Sequence, residues 1–180
     1  MRRHLALFLA LAAVPVLAQA QEPGHEMGGH DDGVASIRPL YEQFKGWLIA
    51  SAEQMPEEKY AYQPTAEVRT FGQLIGHVAN ANYMFCSAAS GEDSPASTNL
   101  EEVTSKADLV QGIKDAFAYC DQAYHMEDAK AMEQIKFFGQ DGSRLWVLNF
   151  NVTHNAEHYG NLVTYIRLNG MVPPSSQGGM

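Results

Sequence analysis

The sequence predicts an all-α protein, a four-helix bundle with a long connection between its second and third helices. Apolar residues recur every three or four positions over four long segments, the period of a helix that packs on one face. Capping residues stand at the start of three of these segments. No segment alternates convincingly between apolar and polar residues, so no strand is predicted. With 180 residues, the chain is long enough for one domain with a sizeable core.

The first 20 residues have the pattern of an export signal. Arg2 and Arg3 supply the positive start, residues 5–17 the apolar run, and Ala18-Gln19-Ala20 a small-residue cleavage site. The apolar run is too short to span a bilayer comfortably, although a retained membrane anchor stays open as a weaker alternative. We expect a signal peptide over residues 1–20, cleaved after Ala20. The mature protein would be periplasmic or secreted, with no stable membrane span.

The charge of the mature chain limits its partners. Cleavage takes the formal net charge from −9 to −11, because it removes two arginines and no acidic residue. Such an acidic surface argues against nucleic acid and anionic membranes as partners. We expect instead a small-molecule substrate that the sequence does not identify.

The bundle domain is predicted to span residues 34–174. Before it, residues 21–33 have the composition of a flexible linker, in which two histidines could hold metal only loosely. The first helix is predicted from about Ala35 to Met55, with Pro39 tolerated in its first turn and Pro56 at its end.

The second helix is predicted to begin after Thr70, which forms a T-x-x-Q capping box with Gln73, and to reach about Ala89. His77 lies on or beside the apolar face of this helix. A single histidine on such a face is more often structural than a ligand. It becomes a metal-ligand candidate only with partners from another helix.

The connection to the third helix is a long surface loop over residues 90–104, rich in turn-forming residues. Ser105 then caps the third helix, whose apolar stripe extends to Tyr124. Residues 126–140 are predicted to contain a further short helix, followed by a turn at residues 140–142.

The fourth helix carries the most informative pattern. Ser143 is its predicted N-cap, the helix runs from Arg144 to Leu168, and Gly170 takes the left-handed position after its end. His154 and His158 lie one turn apart within its apolar stripe, where two imidazoles can converge on one ion. Beyond the domain, residues 175–180 are predicted to be a disordered tail.

Two cysteines, Cys86 and Cys120, fall on different predicted helices. In an exported protein they could form a disulfide that joins two neighbouring helices. The alternative is a pair of buried free thiols, and the sequence leaves the two interpretations about equal. A catalytic thiol is disfavoured, since neither cysteine has an activating base or a cluster of cations nearby in the sequence.

Two blocks of sequence resemble a known family. They are TFGQLIGHVANANY around His77 and HNAEHYGNLVTYIRLNGMVPPSS from His154 onward, and they are similar to the DinB-like (DinB/YfiT) family. The resemblance implies a four-helix bundle, commonly a homodimer, whose histidine triad binds a divalent metal. By position, the triad would be His77, His154 and His158.

The resemblance also implies candidate activities. The family includes metal-dependent thiol transferases, although the export signal departs from their cytosolic members. We expect a metal-dependent hydrolase or group (thiol) transferase with an open coordination position at its three-histidine site. The alternative is a non-catalytic metal-binding or interaction module on the same bundle. Zinc or nickel is the first expectation for the divalent metal, with iron, manganese or copper as further candidates.

Glu157 is the candidate catalytic residue. Residues 154–158 spell H-x-x-E-H, the signature of inverzincin proteases. Such a protease needs a further acidic ligand downstream, and no Asp or Glu follows His158. Glu157 is therefore a candidate general base or ligand-orienting residue of a bundle, and the alternative is a solvated carboxylate. Weaker candidates for orienting the ligands are Asn80, Asn151 and Asn161.

Overall fold

Four long helices carry the fold in the computed structural model, which describes residues 33–178. The elements are α1 (Val34–Gln54), α2 (Phe71–Ser90), α3 (Lys106–Ala123), α4 (Asp128–Ala131), β1 (Gln134–Phe137), β2 (Gln140–Ser143) and α5 (Arg144–Leu168). Helix α2 packs against α3 and α5, and α1 packs against α5 and α3. The predicted all-α four-helix bundle is confirmed. The predicted signal peptide, and the linker before Gly33, lie outside the described residues.

The ends of the long helices follow the predicted capping residues. The Thr70 hydroxyl accepts a hydrogen bond from the Gln73 amide, and the Gln73 side chain accepts one from the Thr70 amide, which completes the capping box. The hydroxyls of Ser105 and Ser143 accept hydrogen bonds from the amides of Asp108 and Trp146 and so cap the starts of α3 and α5. Gly170 has a φ of 75° after α5, a conformation that favours glycine. Each of these contacts joins residues close together in the sequence, so the helix ends could be predicted from the sequence.

The segment between α3 and α5 differs from its prediction. The short helix is only Asp128–Ala131, and a two-stranded antiparallel hairpin follows it. The turn lies at Phe138-Gly139, not at residues 140–142, and Phe137 pairs with Gln140 across it. The prediction of no strand is wrong here because each strand has only four residues. So short a run gives almost no periodicity to detect.

Three buried asparagines fix the register between α2 and α5. The side-chain oxygen of Asn82 accepts hydrogen bonds from two side-chain amides, that of Asn151 at 3.0 Å and that of Asn155 at 3.2 Å. All three side chains are fully buried. Unpaired amides would be costly there, so sliding α5 along α2 would break bonds that the core cannot replace. This ladder sets the height of His77 relative to the histidines of α5.

Cys86 of α2 and Cys120 of α3 form a disulfide. This confirms the first of the two interpretations left open by the sequence, and the free-thiol interpretation is wrong. Both residues are buried, and Cys120 lies against the backbone oxygen of Asn82. The bridge therefore joins two helices beside the asparagine ladder.

The C-terminal segment is more ordered than predicted. Pro174–Ser176 forms a 3-10 turn, and the Ser175 amide donates a hydrogen bond to the hydroxyl of Tyr159 at 2.8 Å. The expectation of a disordered tail is therefore wrong for this turn. Among the helices of residues 33–178, none has the length and apolar character needed to cross a membrane.

Gly76 lets α2 approach the turn at Leu100–Glu102 closely. A Cβ at Gly76 would overlap the backbone of Leu100, whereas a Cβ at Gly160 of α5 would meet open space. We expect Gly76→Ala to lower the free energy of unfolding by about 1–3 kcal/mol through overpacking. Gly160→Ala should raise it by about 0.5–1 kcal/mol, because it restricts the unfolded chain and favours helix. Urea denaturation measures both free energies of unfolding, and a Gly76→Ala variant as stable as the wild type would contradict the close approach.

Candidate metal centre

The three histidines singled out by the sequence meet on one side of the bundle. Nε2 of His154 lies 3.0 Å from Nε2 of His158 and 3.3 Å from Nε2 of His77. One nitrogen from each ring lies within 4.8 Å of the other two. Helix α5 supplies two of the rings and α2 supplies the third, so the α2–α5 interface builds the site.

The spacing of these nitrogens fits a common metal ligand set. Imidazole nitrogens bind zinc at about 2.0–2.1 Å, so two ligands at angles of about 90–110° lie roughly 2.9–3.4 Å apart. Both measured distances fall in this interval. The group of His77, His154 and His158 could therefore hold a metal ion.

The environment keeps two of the rings neutral. Burial, followed by the neighbouring rings of His158 and His77, lowers the pKa of His154 to about 3. Burial, followed by the charge of His77, lowers the pKa of His158 to about 4. Near neutral pH both imidazoles are therefore unprotonated, which is the form that binds metal.

Glu101 is a partner of the site that the sequence analysis missed. Its carboxylate lies 2.7 Å from Nδ1 of His77, and it accepts a 2.8 Å hydrogen bond from Nε of Arg69. Burial raises the pKa of Glu101, but the bonds from Arg69 and His77 outweigh this and keep it below its usual value. Because a carboxylate only accepts, Nδ1 of His77 carries the proton of this bond, which leaves Nε2 as the nitrogen that can bind a metal.

Asn80 holds the turn that presents Glu101. Its side-chain oxygen accepts a hydrogen bond from the Leu100 amide at 3.1 Å, and its side-chain nitrogen donates to Asn99 at 2.7 Å. Of the other two asparagine candidates, Asn161 has its side-chain nitrogen 3.4 Å from Nδ1 of His158. Asn151 instead belongs to the buried ladder, and its side chain bonds to Asn82 and Tyr124 rather than to the histidines.

Glu157 lies on the exposed side of α5. Within residues 33–178, its carboxylate makes no hydrogen bond to the histidines, although its charge acts to raise the pKa of His158. The structure therefore does not bring Glu157 to the ligand atoms. A catalytic role for Glu157 stays a prediction.

Two cavities reach the histidine group from different sides. One, of about 360 Å³, ends on His77 and His154 and is otherwise mainly apolar. The other, of about 580 Å³, borders His158 and contains the polar side chains of Arg69 and Asn161. A small molecule could therefore approach the Nε2 atoms from an apolar or a polar direction.

The hydrogen bond from His77 to Glu101 should strengthen metal binding at the site. We expect Glu101→Gln to weaken metal binding by about 10–100-fold, because an amide orients the ring less strongly and removes a nearby negative charge. Glu157→Gln is the matched control and should leave the affinity unchanged. Competition against a chromophoric chelator measures both dissociation constants, and equal losses in the two variants would contradict the role assigned to Glu101.

Comparison with known proteins places this geometry in a family. Residues 41–162 match the model of the DinB superfamily. A comparison with curated proteins gives no match. A solved DinB-like protein from Bacillus cereus has a TM-score of 0.71 at 14% identity, over 84% of this chain and 100% of its own.

Two further solved structures share the fold. A conserved protein from Enterococcus faecalis has a TM-score of 0.60 at 15% identity, over 72% of this chain and 92% of its own. A DinB-like protein from Bacillus subtilis has a TM-score of 0.59 at 21% identity, over 79% of this chain and 99% of its own. The identities are low, so these likenesses concern the fold. The family match covers most of the chain, and the protein belongs to the DinB superfamily.

Proposed function

We propose that this protein is an exported, divalent-metal-dependent hydrolase or group transferase. The observation that carries the proposal is the convergence of three Nε2 atoms, from His77, His154 and His158, on residues that line two cavities. Three protein ligands leave at least one coordination position open. An open position distinguishes catalytic zinc sites from closed, four-ligand structural sites.

The proposed chemistry follows from the donor set. A metal held by three neutral imidazoles would supply Lewis acidity to a carbonyl oxygen or thiol, and a nucleophile near neutral pH. Glu101 orients His77 and balances charge at the site, while Arg69 holds Glu101 in place. Imidazole ligands suit zinc and nickel, which we propose first, and also iron, manganese and copper.

Export is supported by two features of the chain. The N-terminal 20 residues have the pattern of a cleavable signal. Disulfides persist in the periplasm and outside the cell but are rare in the cytosol, and this chain joins Cys86 to Cys120. We therefore propose that the enzyme works in the periplasm or in the medium.

A non-catalytic metal-binding module is the second candidate, and one observation favours it. Among the residues that the structure describes, Glu101 is the carboxylate that touches the histidine group, and it is already bound by both Arg69 and His77. It is poorly placed to take a proton from a nucleophile. A catalytic mechanism would then depend on the metal or on a group of the substrate.

Activity with and without the metal separates the two candidates. Protein purified with its metal would be tested on a panel of esters, amides and thiol acceptors, beside a chelated sample and His154→Ala. We expect turnover that chelation abolishes, that the original metal restores and that the variant lacks. No turnover by fully metal-loaded protein would favour the module, and turnover that survives chelation would contradict a metal-dependent enzyme.

A further inference from the structure

We propose that the cavity beside His77 and His154 is an apolar subsite for one substituent of the substrate. The ligand class is a small molecule with an aromatic or short alkyl group, attached next to an oxygen or sulfur that reaches the histidine group. This inference rests on the proposed function and names the substrate class for the same site.

The cavity combines apolar walls with a polar end. Its volume of about 360 Å³ lies in the range of small-molecule sites. The polar lining residues His77, His154 and Glu101 lie side by side and form its polar end, and Asn80 is the fourth polar residue of the lining. The other lining residues are apolar: Ala81, Met84, Phe85, Phe138 and Phe150. Such a site positions a substituent by burying it, while the polar end holds the reacting group.

Phe138 occupies a backbone position that does not suit it. Its φ is 49°. Within residues 33–178, Phe138 is the one non-glycine residue that has a positive φ. The following Gly139 has a φ of 76°, so both turn residues of the hairpin are left-handed. Turns of this kind favour Asn-Gly, and a bulky side chain there is a genuine outlier.

Burial does not explain phenylalanine at this turn either. The Phe138 side chain is 61% exposed, so it gains only part of the stabilisation that a buried ring would give. Backbone strain of this kind concentrates at ligand sites, where the position of the side chain matters more than local stability. The strained turn holds an aromatic ring at the rim of the cavity.

The rings form a continuous surface from the hairpin to the histidines. The Phe138 ring lies 4.1 Å from the ring of Phe137 and 6.1 Å from that of Phe150, centroid to centroid. Phe85 then lies 5.1 Å from Phe150 and 5.4 Å from the His154 ring. A planar substituent can contact several of these rings edge to face, an arrangement that adds to simple burial.

The shape and the polar end favour a small molecule over a second copy of the chain. A partner surface would have to insert a side chain into the cavity and would close one approach to the ligand nitrogens. A substrate needs that approach, together with an apolar wall beside it. The hairpin is therefore assigned as a specificity element of the site.

Two hydroxamates that carry either a methyl group or a phenyl ring beside the same metal-binding group test the subsite. Isothermal titration calorimetry would measure acetohydroxamate and benzohydroxamate binding to zinc-loaded protein. We expect benzohydroxamate to bind at least about tenfold more tightly, because its phenyl ring is buried among apolar side chains. Phe138→Asn should reduce this ratio severalfold without loss of thermal stability, since asparagine tolerates a positive φ. Leu168→Asn, which replaces another exposed apolar residue, should keep the wild-type ratio.

The outcomes separate this inference from the proposed function. Equal affinities for the two hydroxamates would overturn the apolar subsite while leaving an open metal site intact. Binding of neither hydroxamate to zinc-loaded protein would overturn the open coordination position, and the subsite with it. Sedimentation of wild type and Phe138→Asn provides a further check. A wild-type dimer that this substitution dissociates would overturn the substrate subsite in favour of an interface between copies.

Discussion

Replacing any one of His77, His154 or His158 by alanine is expected to remove most of the bound metal and to leave the fold helical. The three Nε2 atoms share one centre, so each variant keeps only two protein ligands. The loss of affinity should exceed the roughly 10–100-fold typical when only a ligand's hydrogen-bond partner is removed. Elemental analysis of the purified variants measures metal content, and circular dichroism reports helicity.

The control for this series is His125→Ala. His125 is exposed, and its ring contacts the backbone oxygen of Asp121 rather than the histidine group. We expect this variant to keep the metal content of the wild type. Full metal occupancy in all three triad variants would contradict a shared site. Loss of metal in the His125 variant as well would show that the series reports general damage.

Removal of the disulfide should produce the largest loss of stability. Cys86 and Cys120 are 34 residues apart, so the bridge restricts the unfolded chain by an entropy worth about 3–4 kcal/mol. Both positions are also buried, and the double alanine variant leaves space in the core. We expect the double variant Cys86→Ala/Cys120→Ala to unfold at a lower urea concentration than the wild type. Reduction of the wild-type disulfide should also lower its urea midpoint.

Thiol titration checks the same bridge independently. The unfolded but unreduced wild type should contain no titratable thiol, because the chain has two cysteines and both are paired. Two reactive thiols, or a double variant as stable as the wild type, would contradict a stabilising disulfide. Two reactive thiols would also remove one of the two supports for export.

The predictable part of this fold depends on local signals. Thr70, Ser143 and Gly170 mark helix ends through contacts within a few residues, and the apolar stripes identify the packed faces. The spacing of His154 and His158 places both rings on one face, whatever the rest of the chain does. His77 could be added because it borders the buried face of another helix.

The parts that were missed depend on contacts between distant residues. Glu101 lies in a polar loop, where an acidic residue is normally solvated, and only the approach of that loop to Gly76 brings it to His77. Asn82 and Asn155 are ordinary polar residues until α2 and α5 pack together. Their spacing places both on the buried faces of their helices, but only the packing of α2 against α5 shows that the two side chains bond to each other.

Anomalous diffraction would locate the ion directly. Crystals of protein purified with its own metal, measured on both sides of that metal's absorption edge, should show a strong peak between the three rings. We predict that this peak lies about 2.0–2.1 Å from Nε2 of His77, His154 and His158. Anomalous peaks that all lie elsewhere in a metal-loaded crystal, for example near the N-terminal His25 and His30, would contradict a metal site formed by these three histidines.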